Sequence, residues 1–176
     1  LQTAGSACLL FRALGDRGGE EHAVQAIAHA CRVNGAVEEA VRVEKDARDV
    51  YKKAGQKQAE ATSLKIVYQI RIGNLEKDAG TGRRAPKKAI KEAIDAMVEL
   101  VDFLALLIGP EAHMDSALEL WSLHLKLSRL HLQNKSSEAA LKSAEVALQI
   151  AEEIDSMQEV AWALLAVAEA YMALDF

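Results

Sequence analysis

An all-α fold built from antiparallel helical hairpins is predicted by three observations. Alanine and leucine, both strong helix formers, supply 32 and 22 of the 176 residues, against 10 Gly and 2 Pro. Apolar residues follow helical spacing, and no stretch alternates with period two for long enough to make a sheet. Breakers and polar turn residues recur at Gly15-Asp16, Asn34-Gly35, Gly55, Gly73-Asn74, Gly109-Pro110, Asn134, Asp155 and Asp175. The connections between them are short, which makes consecutive helices antiparallel neighbours.

Eight helices follow in order. The first, 2–14, carries Ala7 and Phe11 and stops at Gly15. The second, 20–33, opens on Glu20-Glu21, where the helix dipole favours negative charge, and stops at Asn34-Gly35. The third, 36–54, places Glu38-Glu39 on an exposed stripe and carries the i,i+4 pairs Lys45-Asp49 and Asp49-Lys53. The fourth, 58–72, ends at Gly73-Asn74, and an inserted loop at 74–85 follows, with Asp78 to Arg84 in its middle. Pro86 suits the first turn of the fifth and longest helix, 86–108, which carries the pairs Lys88-Glu92 and Lys91-Asp95. Its seam Met97, Val98, Val101, Leu104, Leu107 and Ile108 has heptad-like spacing, and Phe103 and Leu106 lie on other faces. So much apolar surface predicts burial on more than one side, by flanking hairpins or by another subunit. The sixth helix, 112–133, begins beside Glu111 and Asp115, the seventh, 136–154, carries Glu152-Glu153 on an exposed stripe, and the eighth runs 157–174. The whole reads as a single domain, 1–176.

Composition also excludes classes. The chain is too rich in apolar residues, at 51%, to be disordered. A net charge of −5 with no basic half argues against non-specific nucleic-acid binding, which depends on neutralising phosphates. No uninterrupted apolar run, Phe103 to Ile108 among them, comes near the roughly 20 residues of a bilayer crossing, so no membrane span is expected. Two cysteines, Cys8 and Cys31, are too few for a disulfide framework or a zinc site and favour a reducing intracellular compartment, the cytoplasm or an organelle interior. The chain opens at Leu1 with neither Met nor tag residue, which reads as a processed or trimmed chain held in order by neighbours.

The helices repeat with a period of about forty. Ala7, Phe11 and Gly15 recur as Ala47, Tyr51 and Gly55, and Ala147, Ala151 and Asp155 echo the spacing without the aromatic. A small Ala lets a neighbouring helix approach, the aromatic one turn later fills the gap between helix pairs, and Gly or a polar residue ends the helix. A lone helical hairpin leaves apolar faces uncovered, and stacking repeats covers them. At these residues the chain resembles the tetratricopeptide repeat family, in the longer kinesin-light-chain-like form of about 40 residues. The resemblance is strongest over Ser137 to Phe176, where Ala144-x3-Leu148-x2-Ala151 and then Leu164, Val167, Ala168 and Tyr171 are similar to the family's helix patterns. Ala47-x3-Tyr51-x2-Ala54-Gly55 is a second match, and Ala23-x3-Ile27-x2-Ala30 a degenerate one. The resemblance implies hairpins stacked in a right-handed superhelix, with an irregular α-helical bundle as the alternative architecture.

Little in the sequence promises chemistry. His22/His29 and His124/His131 are i,i+7 pairs, two turns apart and too far for one metal, which favours i,i+3 or i,i+4 pairs; His113 stands alone. The stretch Gly80-Thr81-Gly82-Arg83-Arg84 with Lys87 and Lys88 is basic and Gly-containing, but it has no GxxxxGK[ST] and no preceding strand. It reads as a solvated loop or a contact for an acidic neighbour. No Ser-His-acid or Cys-His constellation can be assembled. The expectation is a non-enzymatic scaffold without cofactor or metal. The competing reading is an all-helical cofactor- or phosphate-binding domain or enzyme that uses the histidines or the basic loop 80–88.

For the scaffold, the family resemblance implies that the even-numbered helices line a concave face that holds a protein or peptide segment. Positions not needed for packing are His22, Gln25, His29 and Arg32 on the second helix, and Tyr68 and Arg71 on the fourth. Trp121, His124 and Arg129 follow on the sixth, and Trp162, Leu165, Glu169 and Met172 on the eighth. A Trp-Leu-Met face on a terminal helix signals an interaction site, unless the register is off by one and Trp162 is core. Membrane association is expected only through a partner, and a homo-oligomer through 86–108 or the last helix is a further possibility.

Overall fold

The structure, a computed structural model, describes residues 7, 10–11, 14–80, 85–107 and 114–174. Among them are seven α-helices and no strand: α1 (Arg17–Val33), α2 (Val37–Lys53), α3 (Lys57–Gly80), α4 (Lys87–Leu107), α5 (Met114–Gln133), α6 (Ser137–Glu153) and α7 (Met157–Leu174). Of the first expected helix, 2–14, residues 7, 10, 11 and 14 are described and all are helical. The contacts group into two compact units, Leu1–Arg84 and Ala85–Phe176. In the first, α1 packs on α2, α2 on α3 and α1 on α3. In the second, α4 packs on α5, α5 on α6 and α6 on α7, and α5 also reaches α7. Each unit is therefore all-α with sequential antiparallel packing.

One turn closes helix after helix. Its left-handed residue is Gly15 at φ 69°, Gly35 at φ 76°, Gly55 at φ 70°, Lys135 at φ 61° and Asp155 at φ 53°. Around Gly55, the Gln56 N–H donates to the Tyr51 carbonyl at 2.9 Å and the Gly55 N–H to the Lys52 carbonyl at 3.2 Å. This pair of bonds is a Schellman cap, which satisfies carbonyls that the end of a helix leaves without partners. The same pair recurs with Ser136 to His131 and Lys135 to Leu132, and with Ser156 to Ala151 and Asp155 to Glu152. Gly15, Gly35 and Gly55 stand twenty apart, as do Lys135 and Asp155, so two helices and their turns make the period of forty.

Ala47 and Tyr51 are buried in one cluster with Ala23, and Ala7 and Phe11 pack against it, so both copies of the Ala-aromatic motif meet in one core. In α6 the corresponding stripe is Ala140, Ala144, Ala147 and Ala151, all fully buried, and α7 buries Ala163, Ala166 and Ala170. The hydroxyl of Ser137, at the start of α6, donates to the Ala173 carbonyl near the end of α7 at 2.9 Å and ties this hairpin shut.

The expected break at Gly73-Asn74 does not occur, since α3 continues through both to Gly80. An interior Gly costs about 1 kcal/mol. Against that, the buried stripe Ala61, Leu64 and Tyr68 runs on to Leu75, so stopping at 72 would leave Leu75 in water. The loop 74–85 is therefore helical over 74–80, and its residues 81–84, with Arg83 and Arg84, lie outside the described residues. On α4 the buried residues are Ile90, Ala93, Ile94, Ala96, Met97, Leu100, Val101 and Leu104, while Val98, Leu106 and Leu107 are exposed. Ile108, Gly109-Pro110, Glu111, His113 and Asp175 also lie outside the described residues.

Candidate protein-binding surface

The last helix has alanine inside and large apolar side chains outside. Once Ala163, Ala166 and Ala170 face the packed side, a 100° turn per residue throws the flanking residues outward. Trp162 is 49% exposed, Leu164 51%, Leu165 48%, Tyr171 53% and Met172 58%. Trp162 is thus not core. The sequence pattern did not single out Leu164 and Tyr171 for this face. Those residues, with Val167 and Ala168, carry the family resemblance of the last helix, yet three of the four are exposed and Val167 is half-buried. The signal that could have found them is their spacing of seven beside the inner alanine stripe. Glu169 stands half-buried at the rim of the face.

Length and composition add a correction. With 18 residues, a mean hydropathy of 1.2 and only Glu159 and Glu169 charged, α7 is long and apolar enough to cross a membrane by those criteria. The sequence expectation of no membrane span rests on uninterrupted apolar runs, whereas this helix qualifies on its average over 18 residues. At 1.5 Å per residue its length is about 27 Å, against a hydrocarbon core of about 30 Å.

The other candidate residues are scattered. On α1, His22 and His29 are exposed, the His22 Nδ1 lies 2.7 Å from the Gly18 carbonyl of its own helix, and the side chains of Gln25 and Arg32 are outside the described ones. On α3, Tyr68 is buried, and its hydroxyl pKa is raised by burial and by Glu76. Arg71 is engaged within the unit: its guanidinium makes a two-pronged bridge to Glu38 at 2.6 and 3.0 Å. The two residues join α3 to the first turn of α2, where an acid also suits the helix dipole. Lys87 and Lys88 are exposed at the start of α4, and Lys88 pairs with Glu92 at 3.7 Å.

On α5, Arg129 is exposed, whereas the half-buried Trp121, His124 and His131 form a polar ladder with the buried Ser128. The Trp121 Nε1, His124 Nδ1, Ser128 Oγ and His131 Nδ1 atoms are buried without a hydrogen-bond partner among the described residues. Burial lowers the pKa of both histidines, and Asp102 on α4 partly opposes this at His124. Among the described residues no group of three or more His, Cys, Asp or Glu is placed to hold a metal ion.

No protein-family model matches the chain, and no curated protein matches it. Among solved structures, one described as "DHF58 filament" is similar at 17% identity and a TM-score of 0.45, with 99% of this chain and 90% of that one covered.

Proposed function

We propose that the chain is a non-enzymatic scaffold of TPR-like helical hairpins that binds another protein, as an accessory or structural subunit of a larger multiprotein assembly. The observation that carries this reading is the outward face of α7, where five large apolar side chains stand about half exposed on one helix. Contiguous apolar surface of that kind is uncommon on an isolated chain and marks an interaction site. The turn that recurs every twenty residues favours hairpins stacked as a right-handed superhelix, in which the terminal helix offers its outer side to the next element. In this reading recognition comes from packing along helix faces, with His22, His29 and Arg129 as exposed polar contacts elsewhere. No cofactor or metal is required, and the compartment is a reducing one.

The test is affinity capture from the native source with the wild-type chain and with Leu165→Glu, followed by mass spectrometry. A stoichiometric protein partner, captured by the wild type and lost with the variant, is the expected result. A large thermal shift with nucleotide or phosphate, or a bound metal, with no protein partner would defeat the scaffold reading in favour of a ligand-binding domain.

A further inference from the structure

We infer that Asn34 is a self-modifying site, where the chain's own backbone converts the asparagine to aspartate and isoaspartate and so weakens the turn between α1 and α2. The chain has three asparagines, at 34, 74 and 134, and the fold places each differently. Asn34 and Asn134 hold the same position in two copies of one turn. Each follows the last residue of its helix, Val33 or Gln133, and its N–H donates to the carbonyl four residues earlier, Ala30 at 3.1 Å or Leu130 at 3.0 Å. Beyond that they differ. Asn34 and the next residue, Gly35, are both exposed, and a Cβ at Gly35 would meet no atom within 4 Å. Asn134 is half-buried, its Nδ2 donates to the Ser136 hydroxyl oxygen at 3.2 Å, and Lys135 follows it. Asn74 lies inside α3 and is followed by the buried Leu75.

The reaction joins the backbone nitrogen of Gly35 to the side-chain carbonyl carbon of Asn34. The Gly35 nitrogen gives its proton to water and attacks the Asn34 Cγ; the N–Cγ bond forms, the Cγ–Nδ2 bond breaks, and Nδ2 takes up a proton and leaves as ammonia. Water then opens the cyclic imide at either carbonyl, which leaves aspartate, or isoaspartate with the main chain running through Cβ. Glycine obstructs this attack least, because it has no side chain and the widest choice of backbone angles. A turn beyond a helix end also opens more readily than a helix interior. The product carboxylate stands at the C-terminal end of α1, where the helix dipole disfavours negative charge. Isoaspartate further adds a main-chain carbon between α1 and Gly35, whose φ of 76° forms the left-handed cap.

The experiment incubates the full chain in mildly alkaline buffer and follows each asparagine by peptide mapping and mass spectrometry, through the gain of about 1 Da. Asn34 is expected to react about tenfold faster than Asn74 and Asn134, or more. Unfolding in urea should speed Asn74 and Asn134 severalfold and leave Asn34 within about twofold of its folded rate, because the folded turn already exposes it. Gly35→Ala should slow Asn34 about tenfold. Lys135→Gly, at an exposed position, carries the glycine into the matching turn and should speed Asn134 severalfold. The deamidated chain, one charge more negative than −5, separates by anion exchange and should melt at a lower temperature than the unmodified chain. Equal rates at the three asparagines of the folded chain overturn the inference. So does a large acceleration of Asn34 on unfolding, or a melt that deamidation leaves unchanged.

Discussion

The unit α1–α3 and the unit α4–α7 use the same turn and build different cores around it. In the first, glycine occupies the left-handed position at 15, 35 and 55, and in the second Lys135 and Asp155 do so. The first also buries charge: Glu44 and Glu60 are almost fully buried, and Glu60 faces Arg48 at 3.5 Å and Lys57 at 3.6 Å. In the second, α6 and α7 bury chiefly alanine, with Ser143 beside it and Ser128 on α5. The backbone bonds of the cap fix where each helix ends, so the side chains that fill the hairpin are free to differ. What they do change is the kind of substitution each unit tolerates.

The largest contrast is expected from Ala147→Leu. Ala147 is fully buried between helices that approach across alanine, so three added carbons have no space, and the cost should be about 3 kcal/mol. Both tryptophans lie in the second unit, so the urea midpoint followed by tryptophan fluorescence reads it directly. An unchanged midpoint would mean that the alanine stripe is not a tight contact. Next, Arg48→Met removes one of the cations facing the buried Glu60 and should cost about 2 kcal/mol in the first unit. It should appear in far-UV circular dichroism ahead of tryptophan fluorescence, and replacing Glu60 with Leu in the same chain should recover part of the loss.

The turns provide a smaller, signed comparison. Gly55→Ala places a Cβ at φ 70° and should cost about 1 kcal/mol, whereas Lys135→Gly should stabilise by about 0.5 kcal/mol, by relief at φ 61° less the extra freedom of the unfolded chain. Thermal melts of the two variants check the opposite signs, and equal signs would sink the idea that the two units share one cap. Smallest is the pH effect on the second unit. Folding lowers the pKa of His124 and His131, so the unfolded chain binds more protons, and the stability they contribute is present above about pH 6.5 and lost as pH falls below it. His124→Gln with His131→Gln should flatten the fluorescence-detected midpoint between pH 7.5 and 5.5.

Much of the secondary structure was legible because it rests on local physics. The expected spans 36–54, 136–154 and 157–174 lie within a residue of α2, α6 and α7, and each begins or ends at a residue that caps or breaks a helix. Gly73-Asn74 does not stop the helix because the tertiary contact that buries Leu75 outweighs two local breakers. The site was legible only in part. Trp162, Leu165 and Met172 face outward as the helical period requires, but Arg71, a candidate contact by its place on α3, is held by Glu38 some thirty positions earlier. No helical wheel of one helix contains that pairing.

By itself, then, the sequence determined most of the helices and turns and the period of about forty. Ala, Leu and left-handed Gly act through the backbone within a few residues of where they stand. Only the tertiary structure decided which polar groups are used up in packing, as at Arg71 with Glu38 and in the His124 to His131 ladder, and which apolar groups remain uncovered. Trp162, Leu164, Leu165, Tyr171 and Met172 stay uncovered because α7 has alanine to spend on its neighbour, and a helix that packs through alanine keeps its large side chains for something else.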